Sequence, residues 1–143
     1  MNSLSYLIIL AINIALIFAL KSDVYYCRMR SIDFYPNDRQ DSRRVGWLDK
    51  GDYIYALGKT SNRFIEFYGG YVQDNALSKA DQKKKPNCRT TAELNFRTGP
   101  GTYYPVIETL PEGTKIVLYD QEWSNKSWGV TDHGYCHLNY VAC

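Results

Sequence analysis

The stretch LNFRTGPGTYYPVIETLPEGT, residues 94–114, decides how the chain is read. Leu94 and Phe96 fall on one face of an extended segment and Asn95 and Arg97 on the other, the period-two pattern of a half-buried strand. Thr98-Gly99-Pro100-Gly101 then forces a turn, Val106 and Ile107 open a second strand that ends at Leu110, and Pro111-Glu112-Gly113-Thr114 makes a tight turn into a third, Lys115 to Tyr119. Downstream, Trp128-Gly129-Val130 and Gly134-Tyr135-Cys136-His137 read as a hairpin around Asp132-His133, with a short closing strand over Asn139-Tyr140-Val141. Short strands of this kind can close into a small barrel, which removes exposed sheet edges.

Upstream, the lysine-rich SKADQKKKPN breaks all periodicity and reads as an exposed linker. The segments on either side of it align. Cys27-Arg28 lies against Cys88-Arg89, VGWLDKGDYI against VIETLPEGTKI, and Gly70-Tyr71-Val72 against Gly134-Tyr135-Cys136. The expected organisation is therefore a signal peptide over 1–22, a divergent repeat over 23–78, a linker over 79–87 and a second repeat over 88–143.

Leu94 to Pro100, Tyr104-Pro105-Val106-Ile107, Leu110 to Thr114, and Gly134-Tyr135 before Tyr140-Val141 together resemble the bacterial-type SH3 (SH3b) pattern. The first repeat is similar only at Leu48-Asp49-Lys50-Gly51 and Gly70-Tyr71-Val72. It carries Ile32-Asp33-Phe34-Tyr35 and then PNDRQDSRR where the signature and its glycine-proline turn would stand. The resemblance implies an all-β chain of two small SH3-like barrels in tandem. It further implies a targeting module that grips cell-wall peptides or other wall components, often beside a peptidase or amidase domain that this chain does not show.

Residues 4–20, LSYLIILAINIALIFAL, carry no charge and precede Lys21, Ser22 and Asp23, as in a secretory signal; an uncleaved anchor is the competing reading. Export places the protein outside the cell, with no stable membrane insertion after cleavage. All four cysteines follow that segment, and an even number in a small exported chain favours two disulfides over metal ligands or a catalytic thiol. Inward parity of Cys88 and Cys136 suggests a bond between them, leaving Cys27 to join Cys143. The rival pairing is Cys88 with Cys143 and Cys27 with Cys136.

A net charge of +2 gives no field for nucleic acid. Cys136 and its neighbour His137 point to opposite faces of one strand, so a thiol–imidazole pair is disfavoured and no enzyme is expected. Neither a metal nor a cofactor is called for. Function then lies on the surface. Tyr103 and Tyr104 sit in the long loop after the glycine-proline turn, which in the SH3b family borders the ligand groove. Trp123 stands in a polar loop with Asn125, and Asp132 caps the hairpin. These five are the candidate ligand-binding residues, whereas Trp128 reads as core. The expected partner is a cell-wall peptide or polysaccharide; the alternative is an extracellular protein, bound by an effector or inhibitor.

Overall fold

The computed structural model describes residues 24–143, so the expected signal peptide lies outside the described residues. The fold is all-β. Its strands run in chain order as β1 (Val24–Cys27), β2 (Ser31–Tyr35), β3 (Gly46–Asp49), β4 (Tyr53–Tyr55), β5 (Gly58–Lys59), β6 (Phe64–Phe67), β7 (Gly70–Gln73) and β8 (Leu77–Lys79), with a 3-10 turn at Asp74–Ala76 before β8. The second half repeats the order: β9 (Cys88–Thr90), β10 (Leu94–Arg97), β11 (Val106–Leu110), β12 (Lys115–Ile116), β13 (Leu118–Gln121), β14 (Trp128–Thr131), β15 (Gly134–His137), a 3-10 turn at Leu138–Tyr140, and β16 (Val141–Ala142).

Topology duplicates as well. The first half forms a five-stranded sheet, β3-β2-β7-β6-β5, and a three-stranded sheet, β4-β1-β8; the second forms β11-β10-β15-β14-β13 and β12-β9-β16. The all-β order of antiparallel sheets is consistent with the expected pair of small SH3-like barrels, each half being built of two sheets around a shared core, although among the described residues no ladder closes on itself. The reason is visible at Val117. Lys115 to Tyr119 reads as one strand, yet Lys115 and Ile116 pair with β9, whereas Leu118 pairs with β14. The chain leaves one sheet for the other at the residue between, as strands do at the corners of packed sheets.

Alternation built the two cores. Ile32 and Phe34 take the positions of Leu94 and Phe96, so the divergent signature keeps its inward pattern. Phe34, Leu48, Ile54, Ile65 and Val72 pack together in the first half, and Leu94, Phe96, Ile116 and Cys136 in the second. The turn after β3 and its copy after β11 use glycine in the left-handed region, Gly51 (φ 90°) and Gly113 (φ 81°), where a side chain would be strained.

Those turns also correct the alignment of the cysteines. Gly51 donates its amide to the Cys27 carbonyl (2.8 Å), and Gly113 donates to that of Thr90 (2.9 Å). Likewise Cys27 lies opposite Leu77, and Thr90 opposite Val141. Cys27 is thus the counterpart of Thr90, not of Cys88. The same register, Val141 against Thr90 and Ala142 against Arg89, brings Cys143 opposite Cys88, and these two form the disulfide, with Cα atoms 4.0 Å apart. Cys88 and Cys136 do both point inward, but from different sheets. Cys136 and Cys27 are free, buried thiols, so neither of the expected bonds, Cys88–Cys136 and Cys27–Cys143, forms.

A third apolar cluster joins the halves. Val24, Tyr55 and Ala80 from the first meet Trp128, Val130 and Tyr135 from the second. Trp128 is buried as expected, though it belongs to this seam rather than to the second core. Tyrosines supply the polar contacts. The Tyr55 amide donates to the hydroxyl oxygen of fully buried Tyr135 (3.2 Å), Tyr68 stands edge-on to Tyr135 (5.3 Å between centroids), and Tyr53 stacks on Tyr119 (5.7 Å). Of the expected linker 79–87, Lys79 ends β8 and Ala80 is buried in the seam, while residues 81–87 are exposed yet tied down: the Tyr119 hydroxyl donates to the Asp81 carbonyl (3.1 Å), and Asn87 exchanges side-chain hydrogen bonds with the Leu118 backbone (2.8 and 3.0 Å).

Two outcomes follow from this packing. Peptide mapping without reduction will find Cys88 linked to Cys143, and Cys27 and Cys136 will alkylate only after unfolding; burial pushes the Cys136 thiol up to about 12. Reduction should cost about 4 kcal/mol for a bond closing 55 residues, in the chain-entropy account. The second outcome concerns alkali. Burial raises the thiols of Cys27 and Cys136 above the ordinary 9.0 and the phenols of Tyr68 and Tyr135 above 10.0, Tyr68 being raised further by its bond to Glu122. The folded state therefore holds protons that the unfolded chain releases, so stability is full below about pH 9 and falls as pH rises beyond it. Urea midpoints should be level through neutral pH and decline above pH 10, and Tyr135→Phe, which removes the oxygen that accepts from Tyr55, should lose about 1–3 kcal/mol at neutral pH.

Candidate functional site

The loop after β10 is shaped by Arg97, whose Nη1 donates to the carbonyls of Thr102 (2.9 Å) and Tyr104 (3.0 Å). Thr98 closes its base by donating to the Pro105 carbonyl (3.0 Å). Glycine is required at position 99 because a Cβ there would come within 2.7 Å of the Tyr104 ring. With that space free, Tyr104 folds back. Its ring meets Tyr68 edge-on (5.5 Å), and burial pushes its phenol up to about 12, with the adjoining Tyr103 adding to the shift. Tyr103 packs one face on Tyr104 (4.5 Å) and leaves the rest in solvent, 81% exposed.

Trp123 and Asn125 lie in the loop between β13 and β14, and their placement depends on Glu122, a carboxylate that the sequence alone puts on a solvated turn or strand surface. Glu122 is completely buried, yet it carries a carboxylate. The Tyr68 hydroxyl donates to one oxygen (2.6 Å); the amides of Ser124 (2.7 Å) and Asn125 (2.9 Å), with the Ser124 hydroxyl, donate to the other. A buried carboxylate is tolerable only with such a set of donors. Glu122 thereby anchors the loop and fastens it to the first half. Asp132 serves the corner instead: its Oδ1 accepts from the Val117 amide (3.0 Å), and its own amide donates to the Val117 carbonyl (3.2 Å), at the residue where the chain changes sheets.

The five candidates thus divide into Tyr103 with Tyr104, Trp123 with Asn125 on the neighbouring loop, and Asp132 apart. None of them lines the groove beside β10, one of the concavities on this half. That groove, about 340 Å³, is formed by residues of β10, the start of β14, the end of β15 and the 3-10 turn that follows. Its aromatic wall is a ladder. His137 stands edge-on to Trp128 (5.4 Å) and to the half-exposed Tyr140 (5.9 Å). The His137 ring is fixed because Nδ1 accepts from the Asn139 amide (3.2 Å), which leaves Nε2 as the proton-bearing nitrogen of the neutral ring. Glu93 and Arg97 place opposite charges on the same groove, with the amides of Asn95 and Asn139 beside them. A readable signal existed for part of it: once the hairpin turn is placed at Asp132-His133, strand pairing sets Trp128 opposite His137. Tyr140 joins only through the 3-10 turn.

The remaining reactive groups are engaged. His133 Nδ1 lies 2.5 Å from Glu108 Oε1 and its Nε2 lies 3.6 Å from Asp132, while Cys136 is sealed in the second core.

No protein-family model and no curated protein matches the sequence. Among solved structures the chain is similar to NlpC2 from Trichomonas vaginalis (TM-score 0.43, 14% identity, covering 85% of this chain and 48% of that one). It is also similar to NlpC1 from Trichomonas vaginalis (TM-score 0.44, 13% identity, covering 85% and 46%). The chain spans about half the length of these structures.

Proposed function

We propose that the protein is a secreted, non-catalytic binding module whose second half takes a short cell-wall peptide in the Trp128–His137–Tyr140 groove. The observation that carries this reading is the aromatic ladder bordered by Glu93 and Arg97. A peptide presenting both an amine and a carboxylate finds opposite charges there, the side-chain amides of Asn95 and Asn139 can meet its backbone, and the rings cover its apolar surface. A glycan would use the same rings for stacking but leave the charged pair unused. The buried, proton-retaining thiol of Cys136 supports a role in packing rather than in nucleophilic attack. Tyr103, exposed at the neighbouring loop, extends the contact surface beyond the groove.

Sedimentation with insoluble peptidoglycan, chitin and cellulose tests the reading. The protein should pellet with peptidoglycan, and soluble stem peptide should release it. Tyr140→Ala should weaken binding by about 1–2 kcal/mol or more with little change in thermal midpoint, since the ring is half exposed. Absence from every pellet would contradict wall binding, and capture of one stoichiometric protein from extracellular fluid would establish the effector reading in its place.

A further inference from the structure

A second concavity, about 520 Å³, lies on the other sheet of the second half, where Lys85, Arg89 and Lys115 surround the Cys88–Cys143 disulfide. All three cations are exposed, no ion pair engages any of them among the described residues, and no acidic side chain lines the surface. Their placement is not an average excess of basic residues, because the whole chain carries a net charge of only +2. Arg89 and Lys115 are direct cross-strand partners on β9 and β12. Like charges in that position repel and destabilise a sheet. The fold nevertheless holds them together: the disulfide locks β16 to β9 one residue from Arg89, and Asn87, donating to the Ile116 carbonyl (3.1 Å) and bonded on both sides to Leu118, fixes the segment that carries Lys85.

An arrangement that keeps repelling cations in register, with no acidic side chain among its lining residues, is relieved by an external anion. We propose that this surface binds an anionic glycan, a sugar chain bearing sulfate groups. The Arg89 guanidinium offers the fork that pairs with a planar or tetrahedral oxyanion, and the two lysines supply further charge. The concavity is open, which suits groups carried along an extended chain. Pro86, Ala142 and the disulfide give it an apolar floor for the C–H face of a sugar ring, a surface that a bare phosphate polymer would not use. Among its lining residues no aromatic ring is present to stack a base, which disfavours single-stranded nucleic acid.

A heparin-derived hexasaccharide is the probe, with polyphosphate and single-stranded DNA of matched charge beside it. Binding should weaken about ten- to fortyfold between roughly 50 and 200 mM salt, as expected when about three cations are engaged. The pair Arg89→Gln with Lys115→Gln should reduce affinity at least tenfold at low salt, while the thermal midpoint without ligand stays level or rises because the repulsion is gone. Tyr140→Ala should leave hexasaccharide binding intact, which separates this site from the peptide groove. Undiminished binding by the double variant, no binding at low salt, or equal affinity for polyphosphate or DNA would each overturn the proposal.

Discussion

The buried contact between Tyr68 and Glu122 is the constraint on which the rest of the molecule depends. A carboxylate with no exposed surface is costly unless every lone pair is met, and here one oxygen is met from the first half while the other is met by the loop that Glu122 itself organises. Around it, Tyr135 takes the Tyr55 amide and Tyr68 reaches both Tyr135 and Tyr104. Each half contains about 60 residues, near the size at which one core barely offsets chain entropy. The seam supplies a third core. It also positions the groove, since Trp128 stands at once in the seam and in the groove wall.

Much of the architecture was legible because it rests on local rules. Alternation at Leu94 and Phe96, the Pro111 to Thr114 turn and the hairpin at Asp132-His133 all lie where those rules put them, and the tandem order follows. Corners were not legible. Nothing in Lys115 to Tyr119 announces that Val117 belongs to neither sheet, because the cause is Asp132, whose side chain and amide hold the Val117 backbone from a distant turn. The same limit explains the cysteines. Parity identified the inward faces of Cys88 and Cys136, but inward residues of two sheets need not touch, whereas the register of β16 on β9 places Cys143 directly against Cys88. The rival pairing sets Cys88 against Cys143, and only its other half, Cys27 with Cys136, does not form.

The candidate site shows the same division. Tyr103 and Trp123 sit on loops where the sequence leaves both packing and ligand contact open, and both rings reach solvent. The groove was missed because its wall comes from three elements, and two of its rings, Trp128 and His137, are strand residues that read as packing. Tyrosine abundance pointed to strands and amphipathic surfaces in general; Tyr53, Tyr55, Tyr68, Tyr119 and Tyr135 instead pack between the halves, a tertiary use that no local pattern encodes.

If the seam makes the two halves one cooperative unit, urea unfolding followed by backbone amide NMR signals should report a single event. Leu48 and Val72 of the first core and Phe96 and Cys136 of the second should share one midpoint. Two separated midpoints, with either core persisting after the other has melted, would contradict the account.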